Sequence, residues 1–94
     1  MLTNKNVDML ETMAQDFLQH RYRIFCKMGR RDADWTYYNG ACEMIQAFGG
    51  EWRRNYRGDV NNEEQLNDPD YYSHVVIFPD KEKCMRLNED AWKE

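Results

Sequence analysis

Hydrophobic positions recur along this chain with two different periods, and the change of period divides it. Over residues 7–28 the spacing is helical. At about 100° per residue, Met13, Ile24, Phe17, Leu10, Met28, Ala14, Val7, Phe25 and Leu18 share a stripe about 140° wide, with Asp8, Thr12, Gln15, Asp16, Gln19 and Arg23 opposite. This predicts a helix over 7–28, with Asn6 as its N-cap and Gly29 as its stop. Arg21 interrupts the stripe between Phe17 and Phe25. It either snorkels out along the helix surface or points at a partner's carboxylate or a bound anion.

A polar connector, Arg30-Arg31-Asp32-Ala33-Asp34, leads to a second helix over 35–48, capped by Asp34 or Asp32. Trp35, Tyr38, Ala41, Cys42, Ile45 and Phe48 share one face, flanked by Tyr37 and Met44. Gly40 inside this helix costs about 1 kcal/mol relative to alanine and suits a close approach to the first helix. Gly49-Gly50 ends it, with Gly49 fitted to the left-handed position after the helix. Two amphipathic helices with a short polar link predict a helical hairpin.

Beyond Gly50 the period becomes two. Trp52, Arg54 and Tyr56 alternate with Arg53, Asn55 and Arg57, which predicts a strand over 51–57. The β-branched and aromatic run over 71–78 predicts a second, and Pro79-Asp80 opens a final helix over 80–92 with Cys84, Met85, Leu87, Ala91 and Trp92 on its apolar side. Between the strands, residues 58–70 form a long acidic, Asn-rich loop of the kind that is either functional or disordered. The fold class is therefore α+β: a helical hairpin, a two-stranded antiparallel sheet and a C-terminal helix. A sheet of two strands is marginal by itself, and the second strand is apolar on both faces. That favours a homodimer, in which a second copy covers the open face or extends the sheet.

Composition narrows the function. At 94 residues the chain has room for one small domain, and 14 % aromatic content excludes a solvated tail. The longest strictly apolar run is Val75-Val76-Ile77-Phe78, so no membrane-spanning segment is expected. The opening residues hold no apolar signal core, and a cytoplasmic protein is expected. Cys26, Cys42 and Cys84 form no CxxC pair and, with His20 and His74, no metal-ligand spacing. Reduced structural thiols are expected, with no metal and no cofactor.

The net charge of −4 hides a segregation. Residues 21–31 carry Arg21, Arg23, Lys27, Arg30 and Arg31 with no acid, whereas 59–70 carry Asp59, Glu63, Glu64, Asp68 and Asp70 with no base. Two candidate surfaces follow. One is basic and aromatic: Arg21, Arg30 and Arg31 with Trp52, Arg53, Arg54, Tyr56 and Arg57 suit a nucleotide-like ligand or RNA, if the first strand packs near the end of the first helix. The other is the acidic loop, where Asp59, Glu63, Glu64, Asp68 and Asp70, followed by Tyr71 and Tyr72, suit a basic protein partner. The bland alternatives are a solvated charged face and a solubilising loop.

Catalysis finds little support. The chain has no phosphate-binding glycine loop, no nucleophile elbow and no zinc-protease motif. Ser73 and His74 are neighbours in a strand, so they face opposite ways and cannot act together. A non-enzymatic binding protein is expected. The stretch from Tyr37 to Arg54, a helix ending in Gly49-Gly50 and running directly into a strand, resembles small accessory proteins of bacteriophages and mobile elements. The resemblance implies a host-interaction protein, such as an inhibitor that binds or sequesters part of a bacterial defence system.

Overall fold

The computed structural model describes the backbone of residues 4–92 and the side chains of residues 6–86. Helices α1 (Asn4–Lys27) and α2 (Asp32–Ala47) form a hairpin. Strands β1 (Glu51–Tyr56) and β2 (Tyr72–Ile77) pair antiparallel, and α4 (Lys81–Trp92) follows. A short helix, α3 (Glu63–Leu66), and a 3-10 turn (Pro69–Tyr71) lie between the strands. The order is the α+β one expected, with both strands slightly shorter than their periodicity suggests.

Both long helices stop at the glycines assigned to that role. Gly29 and Gly49 adopt φ of +80° and +83°. At each end, the amide three residues beyond the last helical residue folds back: Arg30 N–H donates to the Phe25 carbonyl at 2.9 Å and Gly50 N–H to the Ile45 carbonyl at 2.8 Å. The starts differ from expectation. Helix α1 already includes Asn4, so Asn6 lies inside it and is not its cap. Helix α2 starts at Asp32 after Arg31, which makes no side-chain cap bond. Asp34 is no cap either. It is buried in the first turn, where its carboxylate accepts from Arg31 Nε at 2.8 Å.

The core gathers Val7, Leu18 and Tyr22 of α1, Tyr38, Cys42 and Ile45 of α2, Val76 of β2, Phe78 and Cys84. Its placement corrects the helical wheel. On α1 the buried seam lies at one margin of the apolar stripe, about 75° from the stripe's centre. Met13, Phe17 and Met28, on the other side, are left exposed. Tyr22, which is outside the nine residues of the stripe, is buried. On α4, Cys84 is buried and Met85 half-buried, while Leu87, Ala91 and Trp92 fall outside the described side chains.

The polar side of α1 is equally misjudged as plain solvent face. Antiparallel pairing directs the amides of His74, Val76 and Phe78 away from β1. Glu11, Gln15 and Gln19 meet that edge. Phe78 N–H donates to Glu11 Oε2 at 2.7 Å, Val76 N–H donates to Gln15 Oε1 at 3.0 Å, and Gln19 reaches the His74 ring. The match is geometric: four helical residues rise about 6 Å and two strand residues about 6.8 Å, so i, i+4, i+8 side chains keep step with alternate amides. Helix α1 thereby takes the place of a third strand.

Candidate functional site

The inner face of the sheet carries a directed chain of hydrogen bonds. Gln19 Nε2 donates to the Pro69 carbonyl at 3.2 Å, which turns its Oε1 toward His74 Nδ1 at 2.8 Å. Nδ1 therefore holds the ring proton, and Nε2 accepts from the Tyr38 hydroxyl at 2.7 Å. Burial, with Arg54 opposite in the register, lowers the His74 pKa from 6.5 to about 4. Burial likewise pushes the Tyr38 hydroxyl up to about 12. One chain of bonds thus ties α2, β2, α1 and the 3-10 turn together. Ser73 faces the opposite side of the strand from His74.

The basic and aromatic candidates do not form one surface. Arg31 is engaged with Asp34, while Arg30 bonds the Asn67 side chain at 2.7 Å and lies over the Phe25 ring. Arg54 does reach α1, and its guanidinium sits 4.7 Å from the Tyr22 ring centroid and 5.7 Å from that of Tyr72. Trp52 meets Tyr38 edge-on, and Tyr56 packs on Tyr72 at 5.0 Å. Arg53 is exposed on the outer face, and Arg57 borders a polar cleft with Arg23, Asp70 and His74. Arg21 lies elsewhere, against α2.

The acidic segment is folded, which corrects its expected character as a loose loop. Asn62 caps α3 by accepting from Gln65 N–H, and Asp68 caps the 3-10 turn by accepting from Asp70 N–H. The Tyr56 hydroxyl donates to the Asp59 carbonyl and the Tyr72 hydroxyl to the Leu66 carbonyl, both at 2.7 Å. Asp70 pairs with Arg23 at 3.2 Å. Part of the charge segregation is therefore spent inside the molecule, the segment lying against the C-terminal half of α1. Tyr71 sits in the 3-10 turn with its carbonyl bonded to Arg57 N–H. Glu63 and Glu64 stay exposed in the first turn of α3.

All three cysteines are free. Burial raises the Cys42 thiol to about 11 and moves Cys84 the same way, so both are poor nucleophiles. Among the described residues no group of His, Cys, Asp or Glu is placed to hold a metal ion, and no helix is long and apolar enough to cross a membrane.

An apolar groove of about 520 Å³ runs between α1 and α2. Leu10, Ala14, Ala41, Ile45 and Phe78 are among the residues of its lining. Its rim is exposed and hydrophobic: Met13 (64 %), Phe17 (48 %), Tyr37 (61 %) and Met44 (63 %). At the Phe17–Tyr37 end lies Arg21, its guanidinium 5.6 Å from the Phe17 ring and 5.0 Å from the Tyr37 ring. The Arg21 Nε is buried and has no hydrogen-bond partner among the described residues. No family model matches this chain, and no curated protein or solved structure does.

Gly40 also lines the groove, and a Cβ there meets nothing within 4 Å. It therefore serves no close approach to α1, contrary to the sequence expectation. Gly40→Ala is expected to raise stability by up to about 1 kcal/mol, since only helix propensity changes. A higher urea midpoint with an unchanged slope would show it. The groove had one visible signal in the sequence. The stripe over residues 7–28 holds nine apolar residues, of which Met13, Phe17 and Met28 stay exposed.

Proposed function

We propose that the protein is a non-enzymatic binding protein that occupies a partner protein through the α1–α2 groove. One observation carries this: a chain of mean hydropathy −1.00 exposes a continuous methionine- and aromatic-rimmed groove, with an arginine beside its Phe17–Tyr37 end that has no anionic partner among the described residues. Methionine adapts to varied apolar shapes, and aromatic rings supply rigid contact area. The occupant best suited is an amphipathic helix with apolar residues at i, i+3/i+4 and i+7 and a carboxylate for Arg21. Gly40, open to solvent in mid-helix, leaves room for its backbone. The phage-type accessory or inhibitor role suggested by the helix–Gly-Gly–strand segment is one form of this proposal.

The exposed apolar rim of Met13, Phe17, Tyr37 and Met44 also favours a second reading, in which the occupant is the hairpin of another copy and the protein is a homodimer. Native mass spectrometry separates the two by mass. A nucleotide or RNA ligand has less support, because Arg30, Arg31 and Arg54 are engaged internally and Arg21 lies apart from Arg53 and Arg57.

The groove itself is tested by filling it. Gly40→Trp adds an indole to the groove at a position where a Cβ meets nothing within 4 Å, and should abolish partner capture by the immobilised protein. Asn55→Trp, on the outer face of the sheet, should leave capture unchanged. Equal capture by both variants would remove the groove from the interface.

A further inference from the structure

The two edges of the sheet are treated differently. Helix α1 spends Glu11, Gln15 and Gln19 on the edge of β2, whereas the edge of β1 receives nothing comparable. The Arg57 amide bonds the Tyr71 carbonyl, and from there the antiparallel alternation turns the amides and carbonyls of Trp52, Arg54 and Tyr56 away from β2. Among the described residues, no hydrogen bond satisfies these outward groups. The strand has the other properties of a template. Its register with β2 is unbroken from Glu51 to Tyr56, and it contains no proline and no bulge.

Charge selects what pairs there. Arg53, Arg54 and Arg57 are exposed, and none makes an ion pair among the described residues; Glu51 is the one acid on the strand. Arg54 is engaged on the inner face, its guanidinium stacked over Tyr22 and Tyr72, which leaves Arg53 and Arg57 to face a partner. A second copy adding β1 to β1 about a two-fold axis near the strand centre would set arginine against arginine, which is destabilising for directly opposed pairs. An acidic strand meets no such repulsion.

We propose that the free edge of β1 receives an extended acidic segment of a partner protein, which adds a third strand to the sheet. Main-chain hydrogen bonds to Trp52, Arg54 and Tyr56 hold the segment, and Arg53 and Arg57 select Asp or Glu at alternate positions. This surface is separate from the groove, and the inference stands without it.

The test is fluorescence anisotropy with a labelled ten-residue peptide of alternating Glu and Thr, beside a Lys–Thr peptide. Saturable binding of the acidic peptide, at least tenfold tighter than the basic one, is expected. N-methylation of one alternate set of its amides should abolish binding, while methylation of the other set should not. The exposed double substitution Arg53→Glu, Arg57→Glu, with its fold checked by circular dichroism, should reverse the preference toward the Lys–Thr peptide. Three results would each overturn the proposal: no saturable binding, which leaves the arginines as a guard against edge aggregation; equal binding of both peptides; or indifference to both methylation patterns, which marks attraction of charge alone.

Discussion

Between pH 6.5 and pH 4 the protein is expected to lose about 3 kcal/mol of stability through one residue, His74. Its ring titrates near 6.5 in the unfolded chain and about 4 in the fold, where burial and Arg54 disfavour the charged form. In that interval the unfolded state binds the proton and the native state does not, so acid favours unfolding. The stabilisation is complete above pH 6.5, declines as pH falls, and is exhausted below about 4. A displacement of about 2.5 pK units corresponds to roughly 3 kcal/mol, a large share of the 5–10 kcal/mol a domain of this size holds. The hydrogen bonds give the effect its structural basis. The neutral ring donates from Nδ1 to Gln19 and accepts at Nε2 from Tyr38, whereas a protonated Nε2 would confront the hydroxyl that now donates to it. Urea midpoints measured from pH 7 to pH 4 check this. His74→Gln, which retains donor and acceptor capacity without titrating, should flatten the curve. Parallel curves for the two proteins would refute the assignment.

Gly50→Ala is expected to cost 2 kcal/mol or more, the opposite sign from Gly40→Ala ten residues earlier. A Cβ at Gly50 would lie 2.6 Å from Ile45 Cγ2, 2.8 Å from Phe78 Cε1 and 2.9 Å from the Ile45 carbonyl oxygen. The side chains can shift, but the carbonyl is fixed by the bond it accepts from Gly50 N–H. Overpacking of this kind costs about 1–3 kcal/mol when side chains alone relax, and here the backbone must move as well. The melting temperature should fall by roughly 10 °C, against a rise of about 4–8 °C for Gly40→Ala. Similar melting temperatures for the two variants would contradict the packing described for the α2–β1 corner.

These two glycines show what the sequence could convey. Gly49-Gly50 was legible as a stop because backbone chirality restricts the left-handed position, a local rule. That Gly50 also seats Phe78 against Ile45 is a tertiary fact, carried by residues far apart in the chain. The elements and their order were legible for the same local reasons. The partner of each face was not. Nine apolar residues over 7–28 imply a helix but not which of them meets a neighbour, and the buried seam proved to be Val7, Leu18 and Tyr22 at the stripe's margin. Gln15 and Gln19 read as solvent-facing because glutamine is polar, yet the β2 edge needs acceptors at the spacing they supply. The acidic segment read as a functional or disordered loop because it is longer than the usual connection between hairpin strands. Its order was written in short signals: Asn62 with Gln65 three residues on, and Asp68 before a proline in the first turn. Arg21 interrupts the stripe beside the groove, stacked against Phe17 and Tyr37, and its Nε is buried with no hydrogen-bond partner among the described residues.

The groove's role is tested most directly by photocrosslinking from its rim. A benzophenone side chain placed at Tyr37, exposed on the lip beside Arg21, should form one discrete adduct in cells, and the added Gly40→Trp substitution should abolish it. The same group placed at Asn55, on the outer face of the sheet, should not give that adduct. The adduct's mass identifies the occupant as a second copy or a different protein. No adduct at position 37, or an adduct indifferent to Gly40→Trp, would contradict the groove as the protein's contact surface.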